Sequence, residues 1–388
     1  MSGQVQWLRA GWLIDGRGGP ARTDQLIGLR NGLIEAIRPA GEGCPATALD
    51  FSAHTVLPAL TDAHVHLALA PDSGRAAGIE GGTRIDRHLR QCWRAGVLSV
   101  RDAGDCCGAT LAYKHGSQAG GPPVQIFAAG WGWHAAGRYG RLLARACAPG
   151  QRLADAVLSQ PDAEHIKIIH SGINSLDHFG GPTRAQFVLP ELQAAVQAAH
   201  AAGRPVMVHA NGAEPVETAL AAGCDSIEHG YFMGRSNLER MAAGHIYWVP
   251  TVLPMAVLAD HPDVGPARRD VARRTVEHQL EQIALGRRLG VPMAAGTDAG
   301  SPGVAHGGSL RRELALLVSA GLSLEAAVAC ATLNASNLLG SARRGALLPG
   351  WCGDLIVVSG DPSRVLTGGA VVAIHTGGRW WRDAAGGL

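Results

Sequence analysis

Residues 61–66 read T-D-A-H-V-H and follow the apolar run V-L-P-A-L. Side chains alternate faces along an extended strand, so His64 and His66 would project side by side from one strand end. Two neutral imidazoles on one face make half of a metal site. Other metal-ligating types close later apolar runs: Lys167 in H-I-K-I-I-H, His209 in V-M-V-H-A, His229 in S-I-E-H-G and Asp298 in A-A-G-T-D-A-G. Each has an ordinary reading. His209 and His229 could be hydrogen-bonded core histidines, and Asp298 could cap a following helix. Lys167 is stranger, because a bare ammonium among isoleucines loses hydration unless it is neutralised or paired. Either it snorkels to the end of its strand, or CO2 carbamylates it into an anionic carboxylate able to bridge two cations. Taken together, these residues predict metal binding.

Such a set works only if the fold brings the strand ends together. Short Val/Ile-rich runs alternate with Ala/Leu/Arg-rich stretches from about residue 58 to 346. The strand candidates are T-V-L-P-A-L-T-D-A-H, G-V-L-S-V-R-D-A-G, V-Q-I-F-A-A-G-W, H-I-K-I-I-H-S-G, P-V-M-V-H-A, D-S-I-E-H-G, I-Y-W-V-P-T-V and V-P-M-A-A-G-T-D-A-G. Between them, one helix closes at Gly203 and another starts after Ser323, a good cap. Eight alternations of this kind predict an α/β chain folded as a (β/α)8 TIM barrel, whose sites lie at the C-terminal strand ends. That is where the candidate ligands fall. A doubly wound open sheet is the alternative, but no G-x-G-x-x-G follows an early strand. The termini differ from the middle. Glycine-broken apolar runs, with a hairpin signal at Asn31-Gly32, mark residues 1–57 as strands, and 347–388 read alike. The two segments are expected to pair into a small β-sandwich domain, with 58–346 as the catalytic barrel.

Composition narrows the function classes. The 388 residues are 46% hydrophobic and 17% charged, with net charge +2, which is globular and carries no nucleic-acid footprint. No apolar stretch of membrane-spanning length and no secretory signal is visible, so no membrane partner and a cytoplasmic location are expected. The eight cysteines lack a C-x-x-C pair and read as reduced thiols. Cys106-Cys107 could bind metal but reads more simply as a pair of small residues.

The H-x-H, Lys, His, His, Asp order, carried by V-L-P-A-L-T-D-A-H-V-H, H-I-K-I-I-H-S-G, V-M-V-H-A-N-G, A-G-C-D-S-I-E-H-G and A-A-G-T-D-A-G, resembles the amidohydrolase superfamily over nearly the whole chain. It is most similar to the imidazolonepropionase-like branch, with its Xaa-Pro dipeptidases (prolidases) and zinc carboxypeptidases. The resemblance implies two divalent metal ions, zinc expected: His64, His66 and Asp298 on one, His209 and His229 on the other. Carbamylated (N6-carboxylated) Lys167 and a hydroxide would bridge them. It further implies hydrolysis of a C–N amide bond in a dipeptide or N-acyl amino acid, with Asp298 carrying the proton to the leaving nitrogen. Pro58-Ala59 departs from the usual Pro-Gly, and W-G-W-H-A-A-G-R-Y-G after the third strand is richer in tryptophan and arginine than in related dipeptidases.

Substrate contacts are expected from Tyr231, a donor to the oxyanion, and from His134, Arg138 and Tyr139, which would suit a substrate carboxylate. His170 is a further candidate, and His134 a candidate catalytic group. The small-molecule substrate could instead be a cyclic amide, carbamate, urea or xenobiotic amide or ester. A mononuclear deaminase of the same fold is less well matched, because Lys167 is present and the nearest glutamate after His209 is Glu214. A non-catalytic scaffold would have lost ligands, and none is missing. A homo-oligomer is expected, as barrel enzymes of this type often form one.

Overall fold

A computed structural model describes residues 4–41, 43–69, 81–116 and 122–382. Four strands come first: β1 (Gln6–Leu13), β2 (Arg22–Arg30), β3 (Leu33–Pro39) and β4 (Leu49–Pro58). Asn31 and Gly32 join β2 to β3 with φ of 52° and 78°, the left-handed pair a tight hairpin needs. Then comes the barrel: β5 (Leu60–Val65), β6 (Val97–Asp102), β7 (Gln125–Ala128), β8 (Gly132–His134), β9 (Ala144–Ala146), β10 (Ile166–Ile169), β11 (Val206–Ala210), β12 (Ser226–His229) and β13 (Tyr247–Val249). β14 (Leu355–Ser359), β15 (Val371–Thr376) and β16 (Arg379–Arg382) follow.

The barrel strands run parallel in two arcs, β5-β6-β7 and β13-β12-β11-β10-β8-β9. β7 and β8 are one strand interrupted at 129–131: its first half pairs with β6 and its second with β10. The Glu164 amide, donating to the Ala128 carbonyl at 3.0 Å, spans that seam. Residues 293–299 fill the eighth position as isolated bridges, Met293 to Trp248 and Ala299 to Val65. Pro292 carries no amide hydrogen and Asp298 has φ 55°, so this segment cannot run as a regular ladder. Parity along the strands sets the layers. Val206 and Val208 pack into the main core with Ile166, Ile168 and Ile227. Met207 and His209 alternate with them and face the barrel interior. Helices 189–201 and 213–222 cover the outside, and the Ser323 side chain caps helix 324–330 as expected, accepting from the Ala326 amide at 3.1 Å.

The first expected strand, T-V-L-P-A-L-T-D-A-H, is split at Ala59. The Ala59 amide donates to the Asp354 carbonyl and the Leu60 amide to the Gly96 carbonyl. Consecutive residues thus bond to different sheets, and β4 belongs to the terminal sheet rather than to the barrel. That sheet has the order β16-β15-β14-β4-β1-β2-β3, so strands from both ends of the chain share one ladder. Its edge strand β3 meets the lead-in to β14, where Ile34 donates to Trp351 and Gly350 to Ile34, both at 2.8 Å. The sheet is therefore folded over its own core of Leu8, Ile27, Phe51, Val56, Leu355 and neighbours. Trp380 packs on that core, whereas Trp381 packs edge-on against Trp93 of the barrel at 5.4 Å. Among the described residues no helix is long and apolar enough to cross a membrane.

Candidate active site

The candidate ligands meet at the C-terminal end of the barrel strands. His64 comes from the end of β5 and His66 directly follows it; Lys167 lies in β10, His209 in β11 and His229 at the end of β12. The His64 and His229 rings are 5.1 Å apart, and those of His209 and His229 4.4 Å. One Asp298 oxygen lies 3.5 Å from His64 Nε2 and 3.3 Å from His66 Nε2. His64, His229 and Asp298 each place a ligand atom within 4.8 Å of the others, a candidate metal cluster. Backbone conformation helps to build it. His229 has φ 67° and Asp298 φ 55°, unusual for residues with a side chain. The left-handed turn at His229 breaks strand alternation, so Glu228 and His229, adjacent in sequence, both reach the same group of histidines. Gly296 lets the eighth segment approach: a Cβ there would lie 2.7 Å from that of His64 and 2.6 Å from Val249 Cγ1.

Three histidines are held by the ring nitrogen that faces away from the cluster. His64 Nδ1 donates to Glu228 Oε2 at 2.6 Å and His66 Nδ1 to the Gly104 carbonyl at 2.8 Å. His229 Nδ1 donates to Thr251 Oγ1 at 2.5 Å, while that hydroxyl donates to the Pro250 carbonyl. Anchoring Nδ1–H fixes the tautomer and leaves Nε2 as a bare lone pair, the form that binds a cation. His209 differs, with Nε2 3.2 Å from the Gly172 carbonyl and 3.5 Å from Asn211 Nδ2.

Electrostatics reinforce this at His64, whereas at His66 burial is outweighed by contact with Asp298, which raises the pKa. Burial pushes the His64 imidazole down to about 4 and His209 to about 3, and Lys167 adds to both shifts. Burial opposes the ionisation of Asp298, but contact with His66 and the neighbouring histidines outweighs it and holds the carboxyl well below the usual range. Glu228 behaves likewise: Arg101 and His64 overcome burial and keep it ionised. Lys167 is 1% exposed and its Nζ has no hydrogen-bond partner; burial lowers its pKa to about 8. An orphaned amine and an unpaired His64 Nε2, beside a carboxylate and further imidazoles, are what a cation site requires. The donor set is imidazole and carboxylate, which suits zinc and its neighbours in the first transition row.

The site opens into a cavity of about 280 Å³. Tyr139 and Tyr231 are in its walls; His134, Arg138 and His170 are not. His134 is buried and turns Nδ1 to the Ala135 carbonyl. Arg138 reaches the carbonyls of Arg184 and Ala185 at 3.4 and 3.3 Å. His170 is fully buried and stacks on Phe187, 6.2 Å between centroids, with both ring nitrogens unpartnered. Tyr231 donates to the Thr251 carbonyl at 3.2 Å, and burial raises its pKa, so the phenol stays a donor.

The sequence reading passed over the groups behind the ligands. Arg101 lies inside the barrel beneath His64, donating to the Ala63 carbonyl, Ser226 Oγ and Glu228 Oε1 at 2.7, 3.1 and 2.7 Å. Asp62 accepts from the Thr297 amide and hydroxyl at 3.0 and 2.6 Å and ties the eighth segment to β5. Asn211 Oδ1 accepts from the Tyr231 amide. Arg101, in V-L-S-V-R-D, and Glu228, in S-I-E-H, stand beside other polar residues, so neither carries the signal of a lone charge among apolar neighbours that marked Lys167.

Comparison with known proteins agrees with this architecture. The profile of the Amidohydrolase family matches residues 55–380. Ochratoxinase of Aspergillus niger is 27% identical over 409 residues, covering 92% of this chain and 82% of that protein. Imidazolonepropionase of Deinococcus deserti is 31% identical over 187 residues, 46% of this chain and 41% of that protein. The crystal structure of a Xaa-Pro dipeptidase with methionine bound in the active site superposes with TM-score 0.81 at 27% identity, covering 98% of this chain and all of that one. The matched span includes every candidate ligand, the whole barrel and the C-terminal strands β14 and β15, and on that breadth the chain belongs to the amidohydrolase family of metal-dependent hydrolases and is a hydrolytic enzyme.

Proposed function

We propose that the protein hydrolyses the C–N bond of a dipeptide or N-acyl amino acid. Two divalent cations, zinc expected, would be held by His64, His66 and Asp298 and by His209 and His229, with Lys167 carboxylated on Nζ between them. The observation that carries this reading is the buried, unpartnered Lys167 amine within the same cavity as the histidines and Asp298. The similarity to a Xaa-Pro dipeptidase supports a dipeptide. When bound, the cations would lower the pKa of water and polarise the substrate carbonyl.

The remaining chemistry belongs to the chain. Asp298, kept ionised, is placed to accept a proton and return it to the leaving nitrogen, which an amine leaving group requires. Tyr231, in the cavity wall, can turn its phenol from the Thr251 carbonyl to a developing oxyanion. Glu228, Gly104 and Thr251 hold three imidazoles in one tautomer.

The test is elemental analysis of protein purified with zinc and bicarbonate, beside Lys167→Ala, followed by a screen of dipeptides and N-acyl amino acids. Two metals per chain, a marked loss in the variant, and amide hydrolysis are expected. One metal per chain, unaffected by loss of Lys167, would overturn the binuclear reading and favour a deaminase.

A further inference from the structure

The cavity is chemically lopsided. Its charged members are the candidate ligands themselves, Lys167 and Asp298 with the histidines, while Leu143, Ile173, Leu176, Pro254, Met255 and Leu258 make up much of the rest. Other polar members, such as Asn174 and Ser301, are uncharged. No arginine is in the walls among the described residues, and Arg138, the expected carboxylate partner, is spent on two backbone carbonyls. Apolar surface continues outward: Ile173 is 59% exposed, Leu142 56% and Tyr139 37%. Large apolar side chains left open beside a cavity mark a surface that a ligand covers. A second carboxylate on the substrate would lose water without gaining a charge-assisted partner. A bulky apolar group would cover Ile173 and the half-buried Leu143, Leu176 and Leu258, taking apolar surface out of water on both sides.

We propose that this cavity selects amides bearing a bulky, uncharged apolar group beside the scissile bond, and that a free substrate carboxylate adds little to recognition. The inference rests on the hydrolase reading above. It makes Ile173 and Leu176 specificity-determining residues. Ile173 is exposed and Leu176 half-buried, so polar replacements there cost the fold little.

The test is equilibrium binding to the metal-loaded protein, by calorimetry, of phosphonamidate analogues of the amide. These carry an isobutyl, a hydrogen or a carboxyethyl group at the flanking carbon, each with a free or a methylamide-capped carboxylate. The isobutyl analogue is expected to bind at least about tenfold tighter than the hydrogen analogue. The carboxyethyl analogue should be the weakest, and capping should change Kd by less than about threefold. Ile173→Asn with Leu176→Asn should weaken the isobutyl analogue far more than the hydrogen analogue and so erase the isobutyl preference. Equal binding of all flanks, preference for the charged flank, a tenfold loss on capping, or no binding at all would overturn the inference. Hydrolysis of the corresponding amides is scored separately. Its absence would count against the hydrolase reading, while the order of affinities would still decide the specificity.

Discussion

Glu228 links the chemistry of the site to the inside of the barrel. It accepts from His64 Nδ1, Arg101 and Ser226, all within 2.7 Å, and is fully buried. Replacing it by Gln keeps the shape but sets an amide donor or a weaker acceptor against the Arg101 guanidinium, leaving a buried cation uncompensated. Glu228→Gln is expected to lose about 3–5 kcal/mol of stability, and metal affinity should fall about 10–100-fold because His64 is no longer oriented. Denaturant unfolding and competitive chelator titration measure the two effects. A variant within about 0.5 kcal/mol of the parent would show the pair to be dispensable. The candidate ligands were legible as candidates because each is a metal-binding type in or at the end of a strand candidate. Glu228 was not, because strict alternation puts it on the face opposite His229, and the φ of 67° at His229 is a property of the folded chain.

Individual strands carry their own titratable burden. His375, in β15, is 2% exposed and donates Nδ1–H to the Gly353 carbonyl at 2.6 Å. Burial lowers its pKa from the ordinary 6.5. Below 6.5 the unfolded chain takes up a proton there that the folded chain does not, so this residue's contribution to stability falls as pH falls. Gln at 375 can still donate to Gly353 but does not titrate. Thermal unfolding between about pH 7 and pH 5 should therefore cost the parent more Tm than His375→Gln; parallel profiles would refute the assignment. The Asn31-Gly32 turn, the Ser323 cap and the strands themselves were all readable, since local propensity and tertiary demand agree there. The split of the first strand at Ala59 was not. Its apolar run is continuous, and only the partners Asp354 and Gly96 divide it.

Both ends of the chain depend on each other. β14 pairs with β4 from Leu355–Pro58 to Ser359–His54, and β4 pairs on its other side with β1. Ending the chain before Asp354 would strip β4 of one neighbour and expose the core around Val56. It would also remove the carbonyl that receives the Ala59 amide at the entry to the barrel. Such a truncation is expected to abolish cooperative unfolding rather than release a stable barrel, with rapid limited proteolysis and loss of the near-UV dichroism of the tryptophans. A truncated chain that keeps the parent Tm would show the barrel to be independent.

Residue types and their periodicity carried the architecture and a list of candidate ligands, because burial demands alternation and metals demand imidazole, carboxylate or amine donors. They could not carry the contents of the cavity. Arg138 and Tyr139 share the loop that follows His134 at the end of β8, and nothing in their order tells that Tyr139 enters the cavity wall while Arg138 turns to the 184–185 backbone. Leu143, Leu176 and Met255 are far apart in the chain; they become one wall only when two loops and the helix Leu253–Asp260 converge. Chemistry is set by atoms that each strand presents locally, whereas selectivity depends on distances between strands, which exist only after folding.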